Sequence, residues 1–206
     1  MSLTVACVLW RGPNARRDYR PEHVSRLRDM VARHLTVPHR VVCLSNWPVA
    51  CERLPLVTSR EGWWAKTELL RPDLFTGRVL YLDLDVTIID NIDEIAAYPG
   101  QFVTLRDWLT LGFNSSVMLW DAGIADHLYR DLTLADMNRL HGDQDWLTER
   151  FPSAATFPRS WVVSYKANVR PKGRVPDGAK VIVWHGVPKP WQLPAGHFME
   201  KYEEAA

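Results

Sequence analysis

The 206-residue chain carries 25 basic and 24 acidic residues for a formal net charge of +1, which removes any general electrostatic case for nucleic acid or an anionic membrane surface as partner. Its length supports one substantial core and is read as a single domain over residues 1–206. The apolar runs are too short to cross a bilayer, and Cys7, Cys43 and Cys51 lack metal-type spacing and read as reduced residues of a cytoplasmic protein.

Leu3 to Trp10 reads as a first buried strand, without the basic lead-in or small-residue cleavage site of a signal sequence. Arg11 to Arg20, with Gly, Pro, Asn and four arginines, reads as a loop. Pro21 suits the first turn of a helix whose apolar positions Val24, Leu27, Val31 and Leu35 recur at helical spacing, and Pro38 closes it. Arg40 to Leu44 is a second strand by its valines, followed by irregular chain to about Gly62, so the opening is a β-α-β unit. Trp63 to Leu70 predicts a helix ended by Pro72. In Gly77–Asp85, GRVLYLDLD, the consecutive apolar residues Val79 to Leu82 mark a strand buried on both faces.

Beyond it, Asp90 to Ala97 reads as a short helix, and Phe102 to Arg106 and Ser116 to Trp120 as strands. Helices follow at Ile124 to Asp131 and Gln144 to Phe151, the second with Asp143 as N-cap. After Pro152 the composition shifts toward proline, tryptophan and lysine, with Val181 to Trp184 the one clear strand. This segment, about 152–206, is expected to complete the site. The class is α/β, with a mostly parallel twisted sheet flanked by helices.

Side chains alternate across a strand, so Asp83 and Asp85 are expected on one face near its carboxyl end, where open α/β sheets bind ligands. Two like charges so close need compensation, and a divalent cation is the simplest compensator. In WHGVPKPWQ, Trp184 to Gln192, a strand runs into a constrained turn holding His185, Gly186 and Lys189. An imidazole nitrogen added to two carboxylates suits manganese better than calcium, and a lysine suits a phosphate. Asn114 and Ser115, in LGFNSSVML, offer groups for sugar hydroxyls or for ordinary turn chemistry. Asp143 and Gln144, in HGDQDWL, open a helix, and Lys66 lies one helix upstream of the acidic strand.

Together and in this order, YLDLDV, FNSSVM, GDQD and HGVPKPW resemble the glycosyltransferases of the GT-A fold, a Rossmann-like single domain. The closest resemblance is to the retaining family that includes glycogenin and bacterial lipooligosaccharide galactosyltransferases, and it runs from the first strand to Trp191. It implies Asp83, Asp85 and His185 as ligands of manganese, with magnesium the alternative. It further implies Lys189 on the diphosphate, Lys66, Asp107, Asn114, Asp143 and Gln144 around the donor sugar, and Trp10 and Arg11 near the nucleotide, with Ser115 and Gly186 in the same donor-binding set. Asp143 and Gln144 are the candidates for the reacting face. Two features depart from the family: Ser116 stands where it usually has glycine, and the step from His185 to Lys189 is two residues shorter than in glycogenin-like members.

The expected activity is transfer of a hexose from a nucleotide-diphosphate sugar, a UDP-sugar above all, with retention. The acceptor is open among glycan, lipid-linked sugar, protein and small molecule. Two alternatives stand beside it. DLDVT also fits the signature of haloacid-dehalogenase-like phosphohydrolases, with Asp83 as nucleophile, and a non-catalytic protein can keep a nucleotide-sugar pocket.

Overall fold

The computed structural model describes residues 2–12 and 19–203. Residues 13–18 of the loop expected at Arg11 to Arg20 lie outside the described residues.

Strand β1 (Leu3–Leu9), helix α1 (Pro21–His34), β2 (His39–Ser45) and β3 (Glu52–Leu54) open the fold. β1 pairs in parallel with β2, and β2 with β3. The expected periodicity is realised in α1, which buries Val24, Leu27, Met30 and Val31 against one face of the sheet. β4 (Arg78–Leu82) then pairs in parallel with the other edge of β1. The chain therefore winds away from β1 in both directions, and the crevice beyond the carboxyl ends of β1 and β4 is a topological switch point, where such sheets bind ligands.

β6 (Phe102–Arg106), β7 (Phe113–Asp121) and β8 (Ala155–Thr156) complete a seven-stranded sheet of order β3-β2-β1-β4-β7-β6-β8. β7 runs antiparallel to both β4 and β6, while the other pairings are parallel. β7 starts three residues before the expected Ser116 and is buried from Phe113 to Trp120. A second sheet, β5-β10-β9, joins β5 (Thr87–Ile88), β9 (Val162–Ser164) and β10 (Val181–Val183). Sequence periodicity gave no sign of this sheet beyond β10, because strands of two or three residues are too short to carry an alternation.

The short helices are α2 (Asp93–Ala96), α3 (Asp126–Arg130), α4 (Leu134–Arg139), α5 (Asp143–Arg150) and α6 (Glu200–Glu203). Among the described residues no helix is long and apolar enough to cross a membrane.

The segment expected as a helix at Trp63 to Leu70 is a 3-10 helix over Gly62–Leu70. Three residues per turn eclipse side chains at i and i+3, so Trp63, Lys66 and Leu69 form one row running from exposed through half-buried to buried. Glu68 is fully buried and accepts from the backbone N–H groups of Val57 and Thr58 at 2.8 and 2.9 Å, the Thr58 hydroxyl at 2.6 Å and Arg71 at 3.2 Å. It anchors the incoming loop from beneath. Glu68→Ala is expected to lower stability by about 3 kcal/mol, since several buried donors lose their acceptor; urea denaturation measures this.

One clasp ties α1 to the end of the described chain. Arg26 donates to both carboxylate oxygens of Glu203 at 2.5 and 2.6 Å, to the Val86 carbonyl at 2.9 Å and to the Thr87 hydroxyl at 3.1 Å.

Candidate functional site

β4 ends at Leu82, and the next residues turn, with the Val86 N–H returning to the Asp83 carbonyl at 3.2 Å. Asp83 and Asp85 therefore sit on a tight turn at the switch point rather than within the strand. They reach different partners. Lys66 lies 3.1 Å from Asp83 Oδ1, and the Tyr81 hydroxyl donates to the same oxygen. Lys66 also lies 3.4 Å from Asp143 Oδ2 and donates to the Ser115 hydroxyl at 3.0 Å, which in turn donates to Asp143. Asp85 accepts from the Tyr19 hydroxyl at 2.7 Å and from Lys189, whose ammonium also donates to the Trp184 carbonyl at 2.9 Å. Lys189 is 3 % exposed, so this pair is out of water.

Electrostatics separate the two acids. Burial alone pushes the Asp83 carboxyl up, but Lys66 and the Tyr81 and Ser116 hydroxyls outweigh it and hold it below the usual carboxylate range. Asp85 goes the other way: burial, then the neighbouring charge of Asp83, raise it against the opposing pull of Lys189 and Tyr19. Burial acts to lower Lys66, yet Asp143 and Asp83 overcome it and raise its pKa, which keeps it charged.

Compensation of the acidic pair comes from Lys66 and Lys189. The expected set of Asp83, Asp85 and His185 is not brought together. The His185 Nε2 is 2.6 Å from the Ser164 hydroxyl, its ring stacks on Trp108 at 5.8 Å, and burial followed by the charge of Lys166 lowers its pKa. The reason is local: Val183 pairs with Ser164, so His185, just beyond the end of β10, is within reach of β9 as it enters the turn. Among the described residues no three His, Cys, Asp or Glu side chains form a group able to hold a metal. The two carboxylates do offer hard oxygens at one turn, and with Asp143 they carry three formal negative charges against the two of Lys66 and Lys189. That excess suits a cation.

The other candidates divide into groups. Asn114 is buried within β7; it donates to Asp107 Oδ2 at 3.3 Å and accepts from the Ser116 N–H at 3.0 Å. Asp107 also accepts from the Leu109 and Thr110 N–H groups at 2.8 and 2.9 Å; these bonds hold its carboxyl low against burial and shape the loop after β6. The expected cap on α5 is corrected: Gly142 is the N-cap, and Asp143, as first helical residue, is turned to Ser115 and Lys66. Gln144 follows it, half-buried. Gly186 has φ 71°, a left-handed conformation that strains any residue with a Cβ, so the turn favours glycine.

Arg11, past the end of β1, stacks its guanidinium over Trp47 at 3.8 Å, while its backbone exchanges hydrogen bonds of 2.9 and 2.6 Å with the Asn46 side chain. Arg11 and Trp47, with Arg20, Pro21, Glu22 and Pro48, line a cleft of about 800 Å³. Trp10, just before it, is half-buried and lies against Gly12. Sequence reasoning missed Tyr19, Tyr81, Trp108 and Ser164, whose roles come from long-range contacts that leave no local pattern.

An aspartyl nucleophile at position 83 is disfavoured by this setting. One Asp83 oxygen is committed to a phenol and an ammonium, and β4 is flanked by the antiparallel β7.

No protein-family profile and no curated protein matches the chain. Solved structures do. The glycosyltransferase GlyE of Streptococcus pneumoniae TIGR4 superposes with a TM-score of 0.73 at 16 % identity over 98 % of this chain, which spans 60 % of the GlyE chain. The galactosyltransferase LgtC, solved with donor and acceptor sugar analogs, gives 0.66 at 14 % identity over 98 % of this chain and 94 % of its own. A glycosyltransferase involved in glycosylation of the major capsid of PBCV-1 gives 0.59 at 15 % identity over the full length of both chains. At such identities the likeness is one of architecture, and the chain has the GT-A fold of these glycosyltransferases.

Proposed function

We propose that the chain is a glycosyltransferase that moves a hexose from a nucleotide-diphosphate sugar, a UDP-sugar first among them, to an acceptor. The observation that carries this reading is the position of Asp83 and Asp85 at the switch point of a GT-A fold, the first paired with the half-buried Lys66 and the second with the buried Lys189. LgtC, of the same fold, was solved with donor and acceptor sugar analogs.

Breaking the sugar–phosphate bond builds negative charge on the departing diphosphate, and fixed positive groups stabilise it best in a site closed to water. Lys66 and Lys189 bring two such charges. Tyr19 and Tyr81 keep the carboxylates oriented, and the Arg11–Trp47 stack offers the nucleotide a flat cationic surface. Asp83 and Asp85 would hold a divalent cation, manganese or magnesium, whose chemistry is Lewis-acid neutralisation of the diphosphate. The resemblance adds His185 to that pair. Asp143, bonded to Ser115 and Lys66, positions the centre, and Gln144 offers an amide to the reacting face, in keeping with retention.

The test is a thermal-stability screen of nucleotide-sugars with and without manganese, followed by transfer assays. A binding donor at 100 times its Kd adds about 2.7 kcal/mol of stability. One UDP-hexose is expected to raise the Tm in the presence of manganese, and Asp85→Ala to abolish both the shift and transfer. No stabilisation by any nucleotide-sugar, or full transfer by Asp85→Ala, would overturn the reading. Tight UDP binding without transfer to any acceptor would favour the non-catalytic alternative.

A further inference from the structure

We infer that Trp63 and His141 form the stacking platform on which a pyranose ring of the acceptor is held; this rests on the glycosyltransferase reading above and names the acceptor's recognition element. The ring centroids lie 5.6 Å apart with the planes tilted by 34°, and Trp63 keeps 42 % of its surface exposed. They join the same two segments that the Lys66–Asp143 pair joins: Trp63 and Lys66 stand on the 3-10 helix, and His141 and Asp143 at the start of α5. The inner link is charged and buried, the outer one aromatic and open. Residues three apart on a 3-10 helix share a face and are about 6 Å apart along its axis. A single sugar ring spans that distance.

The indole packs against the backbone at Gly142. A Cβ on Gly142 would lie 2.9 Å from Trp63 Nε1 and 3.0 Å from its Cδ1, so only glycine lets the backbone before α5 meet the ring this closely. A rigid aromatic with an apolar face and a polar edge binds at low entropic cost. The axial C–H face of a pyranose is apolar and matches such a surface, while its hydroxyls would point toward Asp143 and Gln144. The nucleotide has its own aromatic and cationic surface at Trp47 and Arg11, on the loops after β2 and β1. The platform is therefore left for the second sugar.

Saturation-transfer NMR on the full chain, with UDP present and a panel of methyl α- and β-hexopyranosides plus lactose as probes, tests this. At least one probe is expected to bind through its axial face; Trp63→Ala is expected to weaken it at least tenfold and Trp63→Phe by less, with UDP affinity within twofold of wild type in both. Equal pyranoside affinity in wild type and Trp63→Ala, or no pyranoside binding by a wild type that binds UDP, would overturn the platform and leave the donor reading standing. A wild type that binds pyranosides through Trp63 but no nucleotide-sugar would instead overturn the donor reading.

Discussion

Replacing Lys66 by methionine is expected to cut transfer at least about 100-fold, because under the proposed mechanism one of the two fixed charges that stabilise the leaving group is lost, and to lower stability by about 3–5 kcal/mol. The ammonium is the shared partner of Asp83, Asp143 and Ser115. Without it two low-exposure carboxylates face each other uncompensated. The sign of the pH dependence follows from Asp83. Its folded pKa lies below the ordinary value, so its contribution is complete above the unfolded pKa of about 3.9 and is lost as pH falls through the folded value. In Lys66→Met that carboxyl rises and takes up a proton at higher pH, after which it no longer needs a counter-ion. The stability gap between wild type and variant should therefore narrow from pH 7 to pH 4 in urea denaturation. A gap that stays constant would mean that Lys66 acts through packing alone.

The second large effect is at Lys189. Under the proposed mechanism Lys189→Met is expected to reduce donor affinity at least about 100-fold by removing a fixed positive charge that would meet the diphosphate; it is also expected to cost about 3–5 kcal/mol of stability by leaving Asp85 buried beside Asp83. Asp85→Asn strands the ammonium on the Trp184 carbonyl and Tyr19 and should cost a comparable amount. In the double variant neither charge is orphaned, so its loss should fall short of the sum of the single losses by about 2 kcal/mol. Additive losses would show that the two groups are not energetically coupled.

What could be read from the sequence depended on whether a feature is local. β1, α1, β2 and β4 declared themselves because runs of apolar residues and a helical repeat are written in consecutive positions, and the acids after β4 followed from where open sheets place ligands. β7 was read short because Asn114 and Ser115 disfavour strands, yet each is satisfied there by a partner on another element or a neighbour. Lys66 was singled out by resemblance alone, and only tertiary contacts place it between two aspartates. His185 was assigned by resemblance to the acids, whereas the pairing of β9 with β10 delivers it to Ser164. The charge balance of the acid turn was foreseen; that two lysines supply it was not, since both lie far away in sequence.

The Arg26–Glu203 clasp also constrains how this chain can diverge. Its guanidinium holds the turn bearing the acids through the Val86 carbonyl, and its other side is held by a carboxylate 177 positions away. Drift at residue 203 is thus felt next to the acid turn, and the two positions are expected to be inherited as a matched pair. A chimera that takes its tail from a relative must bring a new acid for Arg26 or replace both together.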